Sequence, residues 1–309
     1  MYEKRRLLCV VKKPSLHHKQ ALFTLQTRLV CDVKKPSLKS KQGLFENAPI
    51  LMRTAMDIEP KNKSKKIKMK SSTLDISKDP MGKAIYDYHN SNRTYTLRVL
   101  SSMLEEDEMP VSHLFRTPRQ MPGIEQTALS MAKGRILDVG AAAGCHALPL
   151  QEAGHEVKAI DISPYSCMVM RDRGIQDVEC ISLFDYDLRA GYDTILLLMN
   201  GTGIAGTLRN LPGMLVRLKE LLNEGGTVLI DSSDIKYLYE GDGEDYLPGN
   251  GKYYGEIDFQ MIYGETVGEP FNWLYVDFPL LKSVAESCGM KCNMVSEGDH
   301  FDYLAVLSV

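Results

Sequence analysis

The segment that most restricts the fold of this chain runs from Arg135 to Glu152. Residues 135–139 (RILDV) form a short apolar run, the next five residues are Gly-Ala-Ala-Ala-Gly, and 145–152 favours a helix. A strand, a glycine turn and a helix in this order let the backbone approach a ligand closely, and the N-terminus of the helix offers free N–H groups. The segment therefore predicts an α/β sheet that binds a nucleotide-like ligand beyond its first strand.

A second strand is predicted over residues 156–160 (EVKAI), and it ends in Asp161, 21 residues beyond Gly140. An acid at this place can accept hydrogen bonds from both hydroxyl groups of a ribose. The alternative is that Asp161 only caps the helix that begins at Ser163-Pro164. The distance from the glycine turn favours the ribose role.

The spacing of the small residues separates two classes of ligand. The dinucleotide fingerprint GxGxxG places its last glycine five positions after its first, and the residue five positions after Gly140 is Cys145. The sequence instead has Asp138-x-Gly140-x-Ala142-x-Gly144. It resembles motif I of the class I S-adenosylmethionine-dependent methyltransferases, an acid followed by GxGxG.

The resemblance extends from about Gly134 to Ser308 and implies the fold of that family. The expected fold is α/β, with a Rossmann-like, seven-stranded and mostly parallel sheet, helices on both faces and an antiparallel C-terminal hairpin. An apolar run at Thr194–Met199 (TILLLM) is typical of a central strand buried on both faces. Further strands are predicted at about 178–181, 227–230, 290–295 and 301–307, and helices at 123–132, 211–223 and 278–288.

The resemblance also implies the cofactor, S-adenosylmethionine, and the residues that hold it. In the family the glycine turn passes beneath the methionine and ribose, the acid matching Asp138 orients the turn or the amino group, and residues after the third and fourth strands contact the adenine or lie beside the methyl group. Asp161 would bind the ribose and Ile162 would pack on the adenine, while Ser182 and a displaced Asp185 are the candidates nearest the adenine amino group. The expected cofactor-binding residues are Asp138, Gly140, Ala141, Ala142, Gly144, Asp161, Ile162, Ser182, Asp185 and Asn200.

The charges divide the chain into a tail and a body. Residues 1–70 hold 18 Lys/Arg and 5 Asp/Glu, a balance of +13, and the rest therefore carries 19 basic and 35 acidic residues, a balance of −16. The tail contains a near-duplication, because residues 9–23 match residues 31–45 at 11 of 15 positions. Two copies are too few for a stacked repeat, so we expect residues 1–72 to be a disordered basic tail, or translation to start later, for example at Met69.

The body, residues 73–309, is expected to form one methyltransferase domain. Its parts would be N-terminal helices forming a cap at 73–133, a cofactor-binding core at 134–231, an insertion with a hairpin at 232–277, and a closing helix and hairpin at 278–309. One or two helices are predicted after Asp79-Pro80, since apolar residues recur as far as Leu100. The insertion contains two strand-like runs, at 254–263 and 271–277.

Methyl transfer from a sulfonium needs an aligned nucleophile more than a catalytic triad. Asn200, Asp231 and Tyr275 are weak candidates for a catalytic role, and the identity of any general base stays open. Histidine and cysteine spacings match no metal-site pattern, so no metal is expected.

The acceptor is not determined by these patterns. An acidic body favours a small neutral or cationic acceptor over a polyanion. The alternatives are a protein or nucleic-acid methyltransferase that docks through the basic tail, an NAD-binding oxidoreductase, and a binding module without activity. No apolar run is long enough to span a membrane and no signal peptide is apparent, so a cytoplasmic enzyme is expected.

Overall fold

The computed structural model describes residues 73–92, 94–185, 187–239 and 252–309. The basic tail and its repeat, together with Met69 as a possible start, lie outside the described residues. Within the described ranges, no helix is both long and apolar enough to cross a membrane.

The main sheet has seven strands in the order β11-β12-β7-β6-β3-β4-β5. The first strand of this sheet along the chain is β3, which lies in the middle of the sheet. The next two, β4 and β5, lie on one side of it, and β6 and β7 lie on the other side. Neighbouring strands from β5 to β7 are parallel, whereas β12 and β11 are antiparallel. The predicted fold is therefore confirmed. These strands are β3 (Arg135–Val139), β4 (Glu156–Asp161), β5 (Asp177–Cys180), β6 (Tyr192–Leu197), β7 (Leu222–Ser233), β11 (Lys291–Glu297) and β12 (Asp302–Ser308).

Helices cover both faces of this sheet because alternate side chains of each strand point to opposite faces. On one face, Ile136, Leu196 and Leu229 pack with the helices α2, α3 and α4. On the other face, Leu137 and Ile195 pack with α5 and α6. The helices are α1 (Pro80–His89), α2 (Gly123–Met131), α3 (Ala147–Glu152), α4 (Pro164–Asp172), α5 (Leu211–Leu221) and α6 (Phe278–Ser287).

A second sheet, in the order β10-β8-β1-β2 with β9 beside β8, joins two distant parts of the chain. The strand β1 from the N-terminal segment pairs with β8 from the insertion, and β8 pairs with β10 as the predicted hairpin. All its pairings are antiparallel. Its strands are β1 (Leu97–Leu100), β2 (Asp107–Met109), β8 (Glu256–Tyr263), β9 (Thr266–Val267) and β10 (Phe271–Leu274).

The expectation that the helical pattern continues to Leu100 is wrong in its second half. Residues 80–89 form α1, with Asp79 accepting from the backbone N–H of Gly82 as its N-cap, but residues 97–100 form β1. The buried residues Leu97 and Val99 alternate with exposed or half-buried ones, a period of two that fits a strand. The short run of four residues did not distinguish the two periods, and the partner strand that decides between them is more than 150 residues away.

The contact between the second sheet and the main sheet is tight at Gly203. This residue lies in a 3-10 turn, Gly201–Ala205, that follows β6, and a Cβ atom there would overlap the indole ring of Trp273. Replacing Gly203 by alanine is expected to destabilise the protein by about 1–3 kcal/mol, because the ring and the turn must move apart. Urea unfolding of Gly203→Ala measures this loss.

The matched control is Gly213→Ala in α5, where a Cβ atom would meet nothing within 4 Å. Alanine is the better helix former, so this variant is expected to be as stable as the natural protein or up to about 1 kcal/mol more stable. Equal stability of the two variants would contradict the tight contact between the sheets.

Candidate functional site

The turn after β3 has an unusual backbone in which every second residue is left-handed. The φ angles are +70° at Gly140, +51° at Ala142 and +77° at Gly144. These are the three positions of the GxGxG pattern, so the pattern reflects a backbone requirement for positive φ. Ala142 departs from the pattern, and an alanine in this conformation costs on the order of 1–2 kcal/mol.

Asp161, at the end of β4, holds this turn through its side chain. Its Oδ2 accepts from the backbone N–H of Ala142 at 2.8 Å, and its Oδ1 accepts from the backbone N–H of Ser163 at 2.8 Å. Each oxygen keeps a further lone pair for another donor. Asp161 therefore lies directly beside the glycine turn, as the sequence spacing predicted, and it retains the capacity to accept from two ribose hydroxyls.

The three expected adenine contacts lie close to the carboxyl ends of β4 and β5. Ile162 follows Asp161 and is 39% exposed, which is high for isoleucine and leaves a face for a ring. The backbone N–H of Ile181 donates to the carbonyl of Asp161, so Ser182 follows directly beside this acid. Asp185 is in a tight turn, where its Oδ1 accepts from the backbone N–H of Asp187 at 3.0 Å. The local turn accounts for one oxygen of Asp185, and its place near the adenine remains a prediction.

Asp138 is buried in β3, with 2% of its surface exposed, and its Oδ2 has no hydrogen-bond partner among the residues that the structure describes. Burial raises the pKa of its carboxyl, while the imidazole of His146 and the backbone N–H of Ala147 act in the opposite direction. A buried acceptor without a partner is expected to bind a water molecule or a proton. Asp138 is thus a buried acid at the end of β3, directly before the glycine turn, and its role in orienting the turn or the amino group of the cofactor stays a prediction.

A buried ion network that local sequence patterns did not reveal links the cap to the turn. Glu125 of α2 accepts from Arg116 with both oxygens, at 2.9 and 2.8 Å, and its Oε2 lies 2.8 Å from Nε2 of His146. Burial acts against the charged form of His146, but the neighbouring Cys145 and then the carboxylate of Glu125 raise its pKa well above its ordinary value. Arg116 also contacts His113. Arg116 and Glu125 are 9 residues apart and Glu125 and His146 are 21 apart, so no helical or strand period could have indicated these two contacts.

The loop after β6 is the second strained segment at this edge of the sheet. Met199 and Asn200 have φ angles of +68° and +59°, although neither is glycine. Two such residues cost on the order of 1–3 kcal/mol each, and strain of this kind is common at functional sites. Asn200 is 9% exposed, and its Oδ1 accepts from the hydroxyl of Ser233 at 2.8 Å.

The two remaining catalytic candidates are both buried. Asp231 is 1% exposed, and its two oxygens accept from the backbone N–H groups of Met199 and Gly201. Burial raises the pKa of Asp231 from 3.8 to about 7. Tyr275 is 2% exposed and lies in the core of the second sheet, where burial raises the pKa of its phenol far above the neutral range. These surroundings favour packing for Tyr275 over contact with a substrate.

The residues fit S-adenosylmethionine better than a dinucleotide. The backbone N–H groups of the turn already have acceptors within the protein. Those of Gly140 and Ala141 donate to the carbonyl of Ile160, and that of Ala142 donates to the carboxylate of Asp161. Those N–H groups are therefore not free to bind a diphosphate, whereas the lone pairs of Asp161 remain for a ribose. Within the described ranges, no three His, Cys, Asp or Glu residues gather as a set of metal ligands.

Replacing Asp161 by asparagine is expected to weaken binding of S-adenosylhomocysteine at least about tenfold. Hydrogen bonds to a charged group contribute about 1.5–3 kcal/mol each, and the amide has one acceptor oxygen instead of two. Isothermal titration calorimetry measures the change. Asp193→Asn, at the opposite edge of the same sheet, is the matched control, because Asp193 also accepts a backbone N–H, that of Arg135, at 2.8 Å. Equal affinity in the two variants would contradict the ribose role.

Affinity for S-adenosylhomocysteine is also expected to fall as the pH drops through about 6. Burial raises the pKa of Asp161 from 3.8 to about 6, so below that pH the free protein carries a proton there. Ribose hydroxyls donate to the carboxylate and hence favour the charged form, so binding releases the proton, and affinity falls up to about tenfold per pH unit. Calorimetry from about pH 8 to 5 should show this slope in the natural protein and a flatter one in Asp161→Asn.

Comparisons with known proteins agree with this geometry. The crystal structure of an S-adenosylmethionine-dependent methyltransferase from Bacteroides fragilis, in complex with S-adenosyl-L-homocysteine, matches with a TM-score of 0.73 and 51% sequence identity, over 78% of this chain and 99% of that chain. An uncharacterized methyltransferase from Staphylococcus carnosus (strain TM300) is 24% identical over 179 residues, which is 58% of this chain and 80% of that protein. No protein-family model matches the chain.

The bacterial structure shares half of its residues with this chain across nearly its whole length, and such similarity defines a family. The chain belongs to the class I S-adenosylmethionine-dependent methyltransferases, and it is a transferase that uses this cofactor.

Proposed function

We propose that this methyltransferase transfers the methyl group to a small molecule bound between the main sheet and the second sheet. The observation that carries the proposal is the position of β10 on the turn after β6. Trp273 packs against Gly203, and the hydroxyl of Thr202 donates to the carbonyl of Leu274 at 2.9 Å. The second sheet therefore covers one side of the edge where Asn200 lies, and a bulky acceptor would have to displace it.

The N-terminal segment covers the other side of the same edge. The backbone N–H of Leu74 donates to the carbonyl of Ile162 at 2.8 Å, and the hydroxyl of Ser163 donates to Asp79 at the start of α1. Helix α1 packs on α4, the helix that follows the ribose acid. Covers on two sides favour an acceptor small enough to be enclosed with the cofactor.

The charge of the body supports an acceptor that is not a polyanion. Residues 71–309 carry 19 basic and 35 acidic residues, a net charge of −16. A surface of this sign repels nucleic acid and tolerates neutral or cationic molecules. Enclosure and charge therefore both favour a small acceptor that is neutral or cationic.

When bound, S-adenosylmethionine supplies a methyl group on a positively charged sulfur. A nucleophilic atom of the acceptor forms a bond to the methyl carbon, the bond from carbon to sulfur breaks, and an acceptor that began protonated releases its proton. Asp161 and the glycine turn would hold the ribose, and the two covers would exclude water and align the acceptor. Alignment of this kind contributes on the order of 7–11 kcal/mol to lowering the barrier.

The test is to incubate the protein with methyl-labelled S-adenosylmethionine and an extract of its host, separated into small molecules and macromolecules. Label is expected in the small-molecule fraction. The matched control is Asp161→Asn under the same conditions, which removes transfer by other enzymes from the comparison. Labelling of protein or nucleic acid alone would overturn the proposal.

A variant without residues 1–68 separates the proposal from its main alternative. If the acceptor is small, the shortened protein is expected to label it at a rate within about twofold of the full chain, since the basic tail is not needed to enclose it. Loss of labelling, restored by lowering the salt concentration of the assay, would indicate a polyanionic acceptor that docks on the tail.

A further inference from the structure

The segment after β6 leaves the sheet abruptly, and the next strand provides the group that holds it. Leu197 is the last residue of β6 and pairs with Ile230 of β7, so Asp231 lies one position beyond the end of this pairing. The residues that follow β6 do not continue its pairing with β7, because Met199 and Asn200 turn away from the sheet with positive φ angles. Backbone N–H groups in this loop therefore need an acceptor outside the strand pairing.

The carboxylate of Asp231 supplies that acceptor on both sides of Asn200. The N–H of Met199 donates to Oδ2 at 3.1 Å, and the N–H of Gly201 donates to Oδ1 at 3.0 Å. Backbone N–H groups that converge in a turn form a concavity that binds an anion. In this protein the anion belongs to the chain itself, and it is 1% exposed.

The end of β7 also holds the side chain of the same loop. Ser233, two residues after Asp231, donates its hydroxyl to Oδ1 of Asn200 at 2.8 Å. The strand therefore restrains Asn200 at its backbone, through Asp231, and at its side chain, through Ser233. A residue restrained in these two ways has one orientation relative to the cofactor edge of the sheet.

We propose that Asp231 is a positioning residue that clamps Met199 to Gly201 in the left-handed conformation, so that Asn200 is fixed beside the methyl group to be transferred. A role as general base does not fit the geometry, because both oxygens accept from the backbone and the carboxylate is shielded from an acceptor. The clamp acts through Asn200 and does not itself touch the substrate. This role rests on the cofactor site described above and does not depend on the identity of the methyl acceptor.

The test compares two ligands that differ at the methyl position. Sinefungin carries an amino group where S-adenosylmethionine carries its methyl group, whereas S-adenosylhomocysteine has nothing there. Asparagine at position 231 has one acceptor oxygen, which can serve only one of the two backbone N–H donors. Its NH₂ group faces the second N–H, and two donors cannot form a hydrogen bond with each other. Asp231→Asn is expected to weaken sinefungin binding at least about fivefold and to change S-adenosylhomocysteine binding less than about twofold.

Hydrogen exchange reports on the clamp directly. In Asp231→Asn, peptides that contain residues 199–201 are expected to exchange at least about tenfold faster than in the natural protein. Asp193→Asn again serves as the matched control, because it removes a carboxylate that accepts a backbone N–H at the distant edge. Unchanged exchange at 199–201 in Asp231→Asn would overturn the proposal.

Glycine at position 199 distinguishes a clamp from general structural damage. Glycine adopts positive φ without strain, so the clamp is less needed in Met199→Gly. The loss of sinefungin affinity caused by Asp231→Asn is therefore expected to shrink at least about twofold in the Met199→Gly background. Equal losses in both backgrounds would contradict a conformational role.

Ser233→Ala keeps the proposal testable if Asp231→Asn does not fold. This variant removes only the hydroxyl that donates to Asn200, and it is expected to weaken sinefungin binding about threefold while S-adenosylhomocysteine binding stays within about twofold. Equal weakening of both ligands, or of neither, would overturn the role assigned to this end of β7.

Discussion

One hydrogen bond organises the cofactor edge of this protein, the bond from the backbone N–H of Ala142 to the carboxylate of Asp161. It joins the turn after β3 to the end of β4, and parallel pairing of these two strands brings both partners to the same edge. The turn contains three residues with positive φ, one of them an alanine, so it needs an external partner to keep its shape. Asp161 supplies that partner, and each of its oxygens keeps a lone pair for a further donor.

Buried acids recur around this edge, and each is held by backbone donors or by a charged partner. Asp79 caps α1 and accepts from Ser163, Glu125 pairs with Arg116 and His146, and Asp231 accepts from the loop after β6. Burying a carboxylate is costly unless hydrogen bonds compensate it. Of these acids, Asp231 holds a strained backbone segment, the loop after β6, as Asp161 holds the turn after β3.

The main sheet and the place of Asp161 beside the glycine turn could be predicted because their signals are local. The run RILDV, the glycine turn and Asp161 lie within 27 residues, and the periodic apolar residues of α5 and the TILLLM run identify elements one at a time. Parallel α/β topology then brings the ends of β3 and β4 together without further information. The predicted strand Thr194–Met199 is too long at its end. In the structure β6 ends at Leu197, because Met199 belongs to the strained loop that follows.

The second sheet and the ion network could not be predicted in the same way. The residues of β1 are predicted as helix until β8 is placed beside them, and Arg116, Glu125 and His146 meet only after α2 packs on the main sheet. Asp231 and Tyr275 are both buried, and what separates them is that backbone N–H groups of the loop after β6 donate to Asp231, whereas Tyr275 packs in the core of the second sheet. The environment of a side chain depends on elements that are distant along the chain.

The amino-acid sequence by itself therefore determined the α/β fold, the cofactor class and the acids of the glycine turn, because backbone conformation and strand order depend on neighbouring residues. The tertiary structure decided which segments pack on the ends of β4 and β6 and which buried acid holds the loop of Asn200. The physical reason is that both depend on pairings and hydrogen bonds between segments tens to more than a hundred residues apart.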